Sequence, residues 1–254
     1  MSGASGWDEY APFYDWENAR TLGRRDLPFW RTLLAAEHTE TLELGCGTGR
    51  LLVPLSRAGV SIVGIDLSGP MLDRARTRIR RLPLAQRPPV VRGDIRHLPF
   101  AARSFGAVMA PYGLLQSLVT DADLDAVLVD VRRVLRTGGL LGIDLVPDLE
   151  RWDQYDRQVS LRGTLGAGAT LTLVESVRQD RRRQLTVFDE EFVLRRGSRV
   201  SRHRFSLTFR TLAFDDVLSR VRAAGFRVES TAGDYRGGPW TPESDVWIVR
   251  ARRR

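Results

Sequence analysis

The sequence predicts an α/β domain in which a sheet of seven mostly parallel strands carries an antiparallel β insertion after the fifth strand. Three observations support this. Over residues 41–146 short apolar runs alternate with amphipathic stretches, the pattern of strand-helix-strand units. Residues 159–210 are rich in β-branched and aromatic side chains and are broken only by turn signals. From Phe214 the alternating pattern returns. The chain of 254 residues is long enough for one such domain with an inserted piece.

The first strand, Thr41-Leu42-Glu43-Leu44, runs into Gly45-Cys46-Gly47-Thr48-Gly49, and a helix follows through Leu51, Leu52 and Leu55. Pro54 fits that helix only within its first turn, where a missing N–H costs least. The second strand spans 60–66. Ser68 caps the next helix, whose Met71, Leu72, Ala75, Ile79 and Leu82 fall on one face. Val90-Val91 leads to Asp94, and residues 105–110 form the fourth strand. A helix with Leu124, Leu128, Val131 and Leu135 turns at Gly138-Gly139 into the fifth strand, 140–146. Turns at 166–168, 179–183 and 195–198 divide the insertion into three or four strands. A helix over 214–224 ends on Gly225, and strands at 226–230 and 246–251 complete the sheet. The first 30 residues, with Trp7, Tyr10, Phe13, Tyr14, Trp16, Phe29 and Trp30, are too aromatic for a disordered tail. The expected division is therefore an aromatic lid at 1–30, a core at 31–148 with 212–254, and a β lid at 152–211.

All 39 basic residues are arginine. With no lysine, Schiff-base chemistry and a Walker-type phosphate loop are excluded. The net charge of +8 reads as a consequence of G+C-rich coding, which favours arginine, rather than as a nucleic-acid footprint. The arginine clusters 181–183 and 252–254 read as solvated ends. Cys46 is the single cysteine, so no intrachain disulfide forms, and the turn around it asks for a small packing residue. His38, His97 and His203 lack metal-ligand spacing, so no metal is expected. The start of the chain has neither a basic n-region nor an apolar h-region, and no run approaches 18 apolar residues. A cytoplasmic protein with no membrane contact is expected.

A strand ending in Gly-x-Gly-x-Gly and opening a helix lets a ligand approach bare backbone at a positive helix end. A dinucleotide fingerprint would need glycine where this chain has Arg50. Glu43, two residues before the turn, would repel a pyrophosphate but suits a ligand that presents an ammonium, as S-adenosylmethionine does. Gly45, Gly47 and Gly49 would form its cradle. Asp66, 19 residues past Gly47, is spaced to accept from ribose hydroxyls. Asp94 would accept from the adenine amine, and Leu67, Met71 and Ile95 would cover the ring.

These residues resemble the class I S-adenosylmethionine-dependent methyltransferases. The matching stretches are 42–49, 64–68 with Met71-Leu72, 93–95 and 133–139. The resemblance implies a Rossmann-like fold, S-adenosyl-L-methionine as cofactor and S-adenosyl-L-homocysteine as product. A looser likeness spans nearly the whole chain. The aromatic N-terminus, the β insertion and the Gly233-Asp234-Tyr235 ending are similar to the glycine and amino-sugar N-methyltransferases. In those enzymes an N-terminal arginine binds the cofactor carboxylate, and Arg25 matches it. Two departures weigh against glycine as acceptor. Gly113 stands near an expected asparagine, and Leu145-Val146 ends the fifth strand without a carboxylate-clamping arginine.

The implied reaction is methyl transfer to N or O of a small molecule, a metabolite or natural-product intermediate. Tyr112 follows Pro111 as in the end of an Asn-Pro-Pro-Tyr amine-methylating motif that lacks its Asn and one Pro. The catalytic candidates are Tyr14, Tyr112, His203 and Asp234, with Tyr14, His203 and Asp234 as bases. Tyr10 and Tyr14 divide between core packing and a cation site. Two rival readings are an RNA methyltransferase, which would need a basic groove with interleaved aromatics, and a cofactor-binding regulatory protein without turnover. Arginines dispersed over all segments make nucleic acid an unexpected partner. A homodimer is compatible with the sequence.

Overall fold

The computed structural model describes residues 4–146, 153–166 and 168–254, with side chains from residue 7. Strands β1 (Thr41–Leu44), β2 (Ile62–Asp66), β3 (Val90–Arg92), β4 (Phe105–Ala110), β5 (Leu135–Leu145), β10 (Phe226–Ala232) and β11 (Trp247–Arg253) form one sheet. Its order is β10-β11-β5-β4-β1-β2-β3. The pairings among β1 to β5 are parallel, and β11 runs antiparallel to both β5 and β10. All four residues of β1 are buried, as expected of a central strand covered on both faces.

Helices α5 (Asp121–Val134) and α6 (Phe214–Ala223) cover one face of the sheet, and α2 (Leu27–Ala35), α3 (Leu52–Arg57) and α4 (Gly69–Ile79) cover the other. The local signals explain their ends. Ser68 accepts from Met71 N at 3.2 Å to start α4, and Thr120 Oγ1 accepts from Asp123 N at 3.1 Å to start α5. Asp121 and Asp123 in the first turn of α5, with Arg132 and Arg133 in its last, complement the helix dipole. Pro54 lies in the first turn of α3, the position the sequence required. Gly225, at φ +90°, ends α6.

The expected insertion is a four-stranded antiparallel meander, β6 (Tyr155–Thr164), β7 (Ala169–Asp180), β8 (Leu185–Arg196) and β9 (Arg199–Arg210), lying in the chain between β5 and α6. The expected boundaries at 148 and 152, and residue 167 of the first turn, lie outside the described residues.

The N-terminal segment is helical, which the sequence reading did not anticipate. Helix α1 (Ala4–Asn18) has Pro12 in its interior, yet Tyr10, Phe13 and Trp16 are buried against Leu171, Leu173, Phe192 and Leu207 of the inserted sheet. Tertiary packing here outweighs an unfavourable local sequence. The expected break at residue 30 also needs correction. Helix α2 straddles it, and Trp30, fully buried, packs on Gly142 of β5, where a Cβ would stand 2.8 Å from its ring. Trp30 therefore belongs to the core.

Candidate active site

The strand order reverses at β1, with β2 on one side and β4 on the other, so a crevice opens at its carboxyl end. The glycine turn lies there. Gly45, Gly47 and Gly49 have φ of +58°, +52° and +79°, left-handed values that favour glycine. A Cβ on Gly45 would stand 2.5 Å from Leu114 Cδ1. Cys46 packs on Gly64 and burial raises its thiol pKa, so it is inert.

Asp66 ends β2 and accepts from Gly47 N and Ser68 N, each at 2.8 Å, which aims its carboxylate across the turn. Burial raises its pKa. Glu43 is 3% exposed, and its Oε2 has no hydrogen-bond partner. Burial pushes this carboxyl up to about 8, against the opposing pull of Arg50. An orphaned buried carboxyl oxygen beside a bare-backbone turn fits a ligand that brings an ammonium. The donor set thus suits the amino-acid end and ribose of S-adenosylmethionine.

The remaining cofactor candidates divide. Leu67 is 41% exposed at the crevice, and Ile95 is partly buried. Met71 is buried beneath α1 with Tyr10 and Phe13. Both oxygens of Asp94 accept from Arg96, at 3.0 and 2.6 Å, and this fork holds its pKa down. Arg25 is exposed and donates to Thr21 O at 2.7 Å and Leu22 O at 3.2 Å, carbonyls of its own turn. The arginine packed beside the glycine turn, 11% exposed, is Arg50. Its guanidinium grips fully buried Asp26 at 2.6 and 2.7 Å and lies 5.2 Å over the Tyr112 ring. Asp15 of α1 accepts from Thr48 Oγ1 at 2.6 Å and pairs with Arg78 at 2.7 Å, pinning the N-terminal helix to the turn.

A cavity of about 550 Å³ opens between α1, the carboxyl ends of β4 and β5, and the inserted sheet. Tyr10, Tyr14 and Tyr112 line it together with Trp7, Tyr155, Phe188 and Phe209. The loop after β4 forms one wall. Its Tyr112 and Gly113 both have left-handed φ, +59° and +65°. Gly113 N donates to Asp144 Oδ1 at 3.2 Å, and Gln116 exchanges hydrogen bonds with Val146 at 3.0 and 2.9 Å. Tyr235 donates to Asp144 Oδ2 at 2.8 Å, so the Asp234-Tyr235 loop braces this wall from behind.

The base candidates need correcting. Burial raises Tyr14 well above the ordinary tyrosine value, and Tyr112 likewise, which leaves both as hydroxyl donors. Asp234 accepts from Gly238 N at 2.9 Å and Arg236 N at 2.7 Å. These bonds lower its pKa and commit it to capping its own loop. His203 shares a face of β9 with Leu207 and Phe209, but four residues from Leu207 is roughly 13 Å along a strand. Its ring ends up exposed, against Phe13, beyond the cavity.

Sequence reasoning missed Glu17, Glu175 and Glu190, three carboxyls on the cavity wall. A signal existed. In Leu171-x-Leu173-x-Glu175-x-Val177 and Phe188-x-Glu190-x-Phe192 an acid interrupts an otherwise apolar strand face.

Residues 41–139 match a family described as Methyltransferase domain. Over 140 residues the chain is 36% identical to a demethylmenaquinone methyltransferase of Lactobacillus johnsonii, covering 52% of this chain and 56% of that one. It thus spans about half the length of that relative. Among solved structures, the CcbJ methyltransferase from Streptomyces caelestis superposes with a TM-score of 0.81 at 21% identity, covering 98% of both chains. CalS10 from Micromonospora echinaspora, an amino pentose methyltransferase solved with S-adenosylmethionine bound, gives 0.73 at 20% identity, covering 96% of this chain and 97% of that one. At such identities the likeness is one of fold, and it extends over the insertion as well as the core. Residues 41–139 of this chain thus match a methyltransferase domain, and they lie in a sheet whose Rossmann-like fold is that of the solved methyltransferases.

Proposed function

We propose that the chain methylates N or O of a small molecule held in the cavity beneath α1 and the inserted sheet. The observation that carries this reading is the lining of that cavity. Its walls come from α1, from the ends of β4 and β5 beside the cofactor crevice, and from all four strands of the insertion. A polymer substrate needs an open, basic mouth, whereas an aromatic chamber of about 550 Å³ suits a metabolite-sized molecule.

When bound, S-adenosylmethionine would supply a methyl carbon open to in-line attack by an acceptor lone pair, with the C–S bonding pair departing to the sulfur. The chain's own residues then have two tasks, alignment and exclusion of water. Glu43, Asp66 and the backbone of the glycine turn would hold the cofactor from the core side. Arg25 is an expected anchor for the cofactor carboxylate, reached by turning away from the carbonyls it now engages. Helix α1, tied to the turn through Asp15, would act with the inserted sheet as the lid, and Tyr14 and Tyr112, which line the cavity, would help align the acceptor.

A labelled-methyl transfer assay against amines, amino sugars, phenols, glycine and tRNA tests this proposal. Turnover is expected with small non-peptidic acceptors. Efficient methylation of glycine or tRNA overturns the inference from cavity to acceptor. Cofactor binding with no transfer to any acceptor class favours the regulatory reading.

A further inference from the structure

Glu175 of β7 and Glu190 of β8 stand directly opposite each other in the register of the inserted sheet. Like charges in facing positions destabilise a strand pair. Glu17 of α1 closes the group from the other side of the cavity, and its pKa is pushed up to about 8 by burial and by the charge of Glu175. Burial, then Glu17 and Glu175, raises Glu190 well above the ordinary carboxyl value. The Tyr10 hydroxyl donates to Glu17 Oε2 and the Tyr155 hydroxyl to Glu175 Oε1, which also accepts from Ser160 Oγ at 3.0 Å. Glu190 is 4% exposed and its Oε2 has no partner.

The neighbouring strand position shows how this sheet treats an acid it needs only for structure. Glu191, on the opposite face, is paired with Arg157, Arg202 and Arg204 at 3.2, 3.1 and 2.9 Å. Among the described residues no arginine pairs with Glu17, Glu175 or Glu190, in a chain with 39 arginines to draw on. Three carboxyls around one chamber, walled by aromatic rings and left without a cation, are built to receive one.

We infer that Glu17, Glu175 and Glu190 form a receptor for an organic ammonium group of the acceptor, with Glu190 Oε2 as its open hydrogen-bond acceptor. This rests on the reading of the cavity as the acceptor chamber and narrows the acceptor to molecules carrying an aliphatic amine. The Nδ2 of Asn18, also buried and without a partner on the same wall, offers a donor to an oxygen elsewhere on the molecule. The titratable groups sharing the cavity wall with the carboxyls are Tyr10 and Tyr14 from α1, Tyr112 from the loop after β4 and Tyr155 from β6. The β9 side contributes apolar Leu207 and Phe209. Glu17, pushed up to about 8, holds its proton near neutrality until a cation arrives, and burial drives Glu190 in the same direction. An arriving ammonium stabilises the carboxylates, so a proton leaves to solvent as the ion pair forms.

The probes are two matched pairs, tyramine with tyrosol and glucosamine with glucose. Binding is measured calorimetrically near pH 7 on the full chain, with and without S-adenosylhomocysteine. The expected result is that the amine of at least one pair binds ten or more times tighter than its alcohol. Its binding heat should differ between phosphate and Tris buffers by the amount that proton release requires. In Glu190→Gln and Glu175→Gln the preference should fall below threefold, while S-adenosylhomocysteine affinity stays within twofold. Amines that bind no better than alcohols, including failure of both to bind, overturn the receptor, as does a preference that survives in both variants. The wild-type amine preference and buffer dependence need no variant to fold. Loss of S-adenosylhomocysteine binding by the wild type would instead strike the cofactor reading, leaving the measurements made without it to decide the receptor.

Discussion

Glu43→Gln tests the cofactor crevice most directly, because the structure fixes both sign and size of the effect. Burial raises this carboxyl from 4.5 to about 8. A carboxyl with a raised folded pKa is charged in the unfolded chain before it is charged in the native one. Its effect on stability is therefore nil below pH 4.5, grows more unfavourable as pH rises from there to about 8, and is constant above. At 1.36 kcal/mol per unit, the penalty at pH 7 is about 3 kcal/mol. Glu43→Gln removes the titration. The stability gap between variant and wild type should widen by about that amount between pH 4.5 and 7, or roughly 6–12 °C in melting temperature. Binding moves the other way. A ligand ammonium requires the carboxylate, so wild-type affinity for S-adenosylhomocysteine should rise by up to tenfold per pH unit between pH 6 and 8. The variant should bind more weakly and without that slope. Calorimetry at pH 6, 7 and 8, paired with melting curves of both proteins, supplies the measurement. A wild-type affinity flat across that range, or a stability gap that does not change with pH, would refute the assignment of Glu43 to the ligand's ammonium.

Asp66→Ala removes a charged acceptor whose hydrogen bonds are worth about 1.5–3 kcal/mol, so S-adenosylhomocysteine affinity should drop more than tenfold by calorimetry, while wild type binds NAD negligibly. Asp26→Asn breaks a buried fork and leaves Arg50 uncompensated; thermal unfolding should show a loss of about 3–5 kcal/mol. His203→Ala lies outside the cavity and should leave the methyl-transfer rate within about twofold once an acceptor is known. A loss of a hundredfold or more would restore it as the general base.

What the sequence determined by itself is local along the chain. Gly45, Gly47 and Gly49 after a buried strand and Ser68 capping α4 act within a few residues of their own backbone, and Asp66 ends the strand paired beside β1 and so meets Gly47 N, which is why spacing alone located them. Tertiary structure decided what faces what. Helix α1 could not be read from propensity because Pro12 interrupts it, and its conformation is set by the sheet that Tyr10, Phe13 and Trp16 pack against. Arg50 looked like a missing glycine until the fold placed Asp26 against it. The carboxyl group turned on hairpin register. A turn over 179–183 would have set Glu175 across from Val187. The actual turn ends at left-handed Gln184 and pairs Asp180 with Leu185, which brings Glu175 to Glu190. Displacing a hairpin's centre by one and a half residues moves every partner by three. A site built across strands therefore becomes visible only when the turn geometry is known.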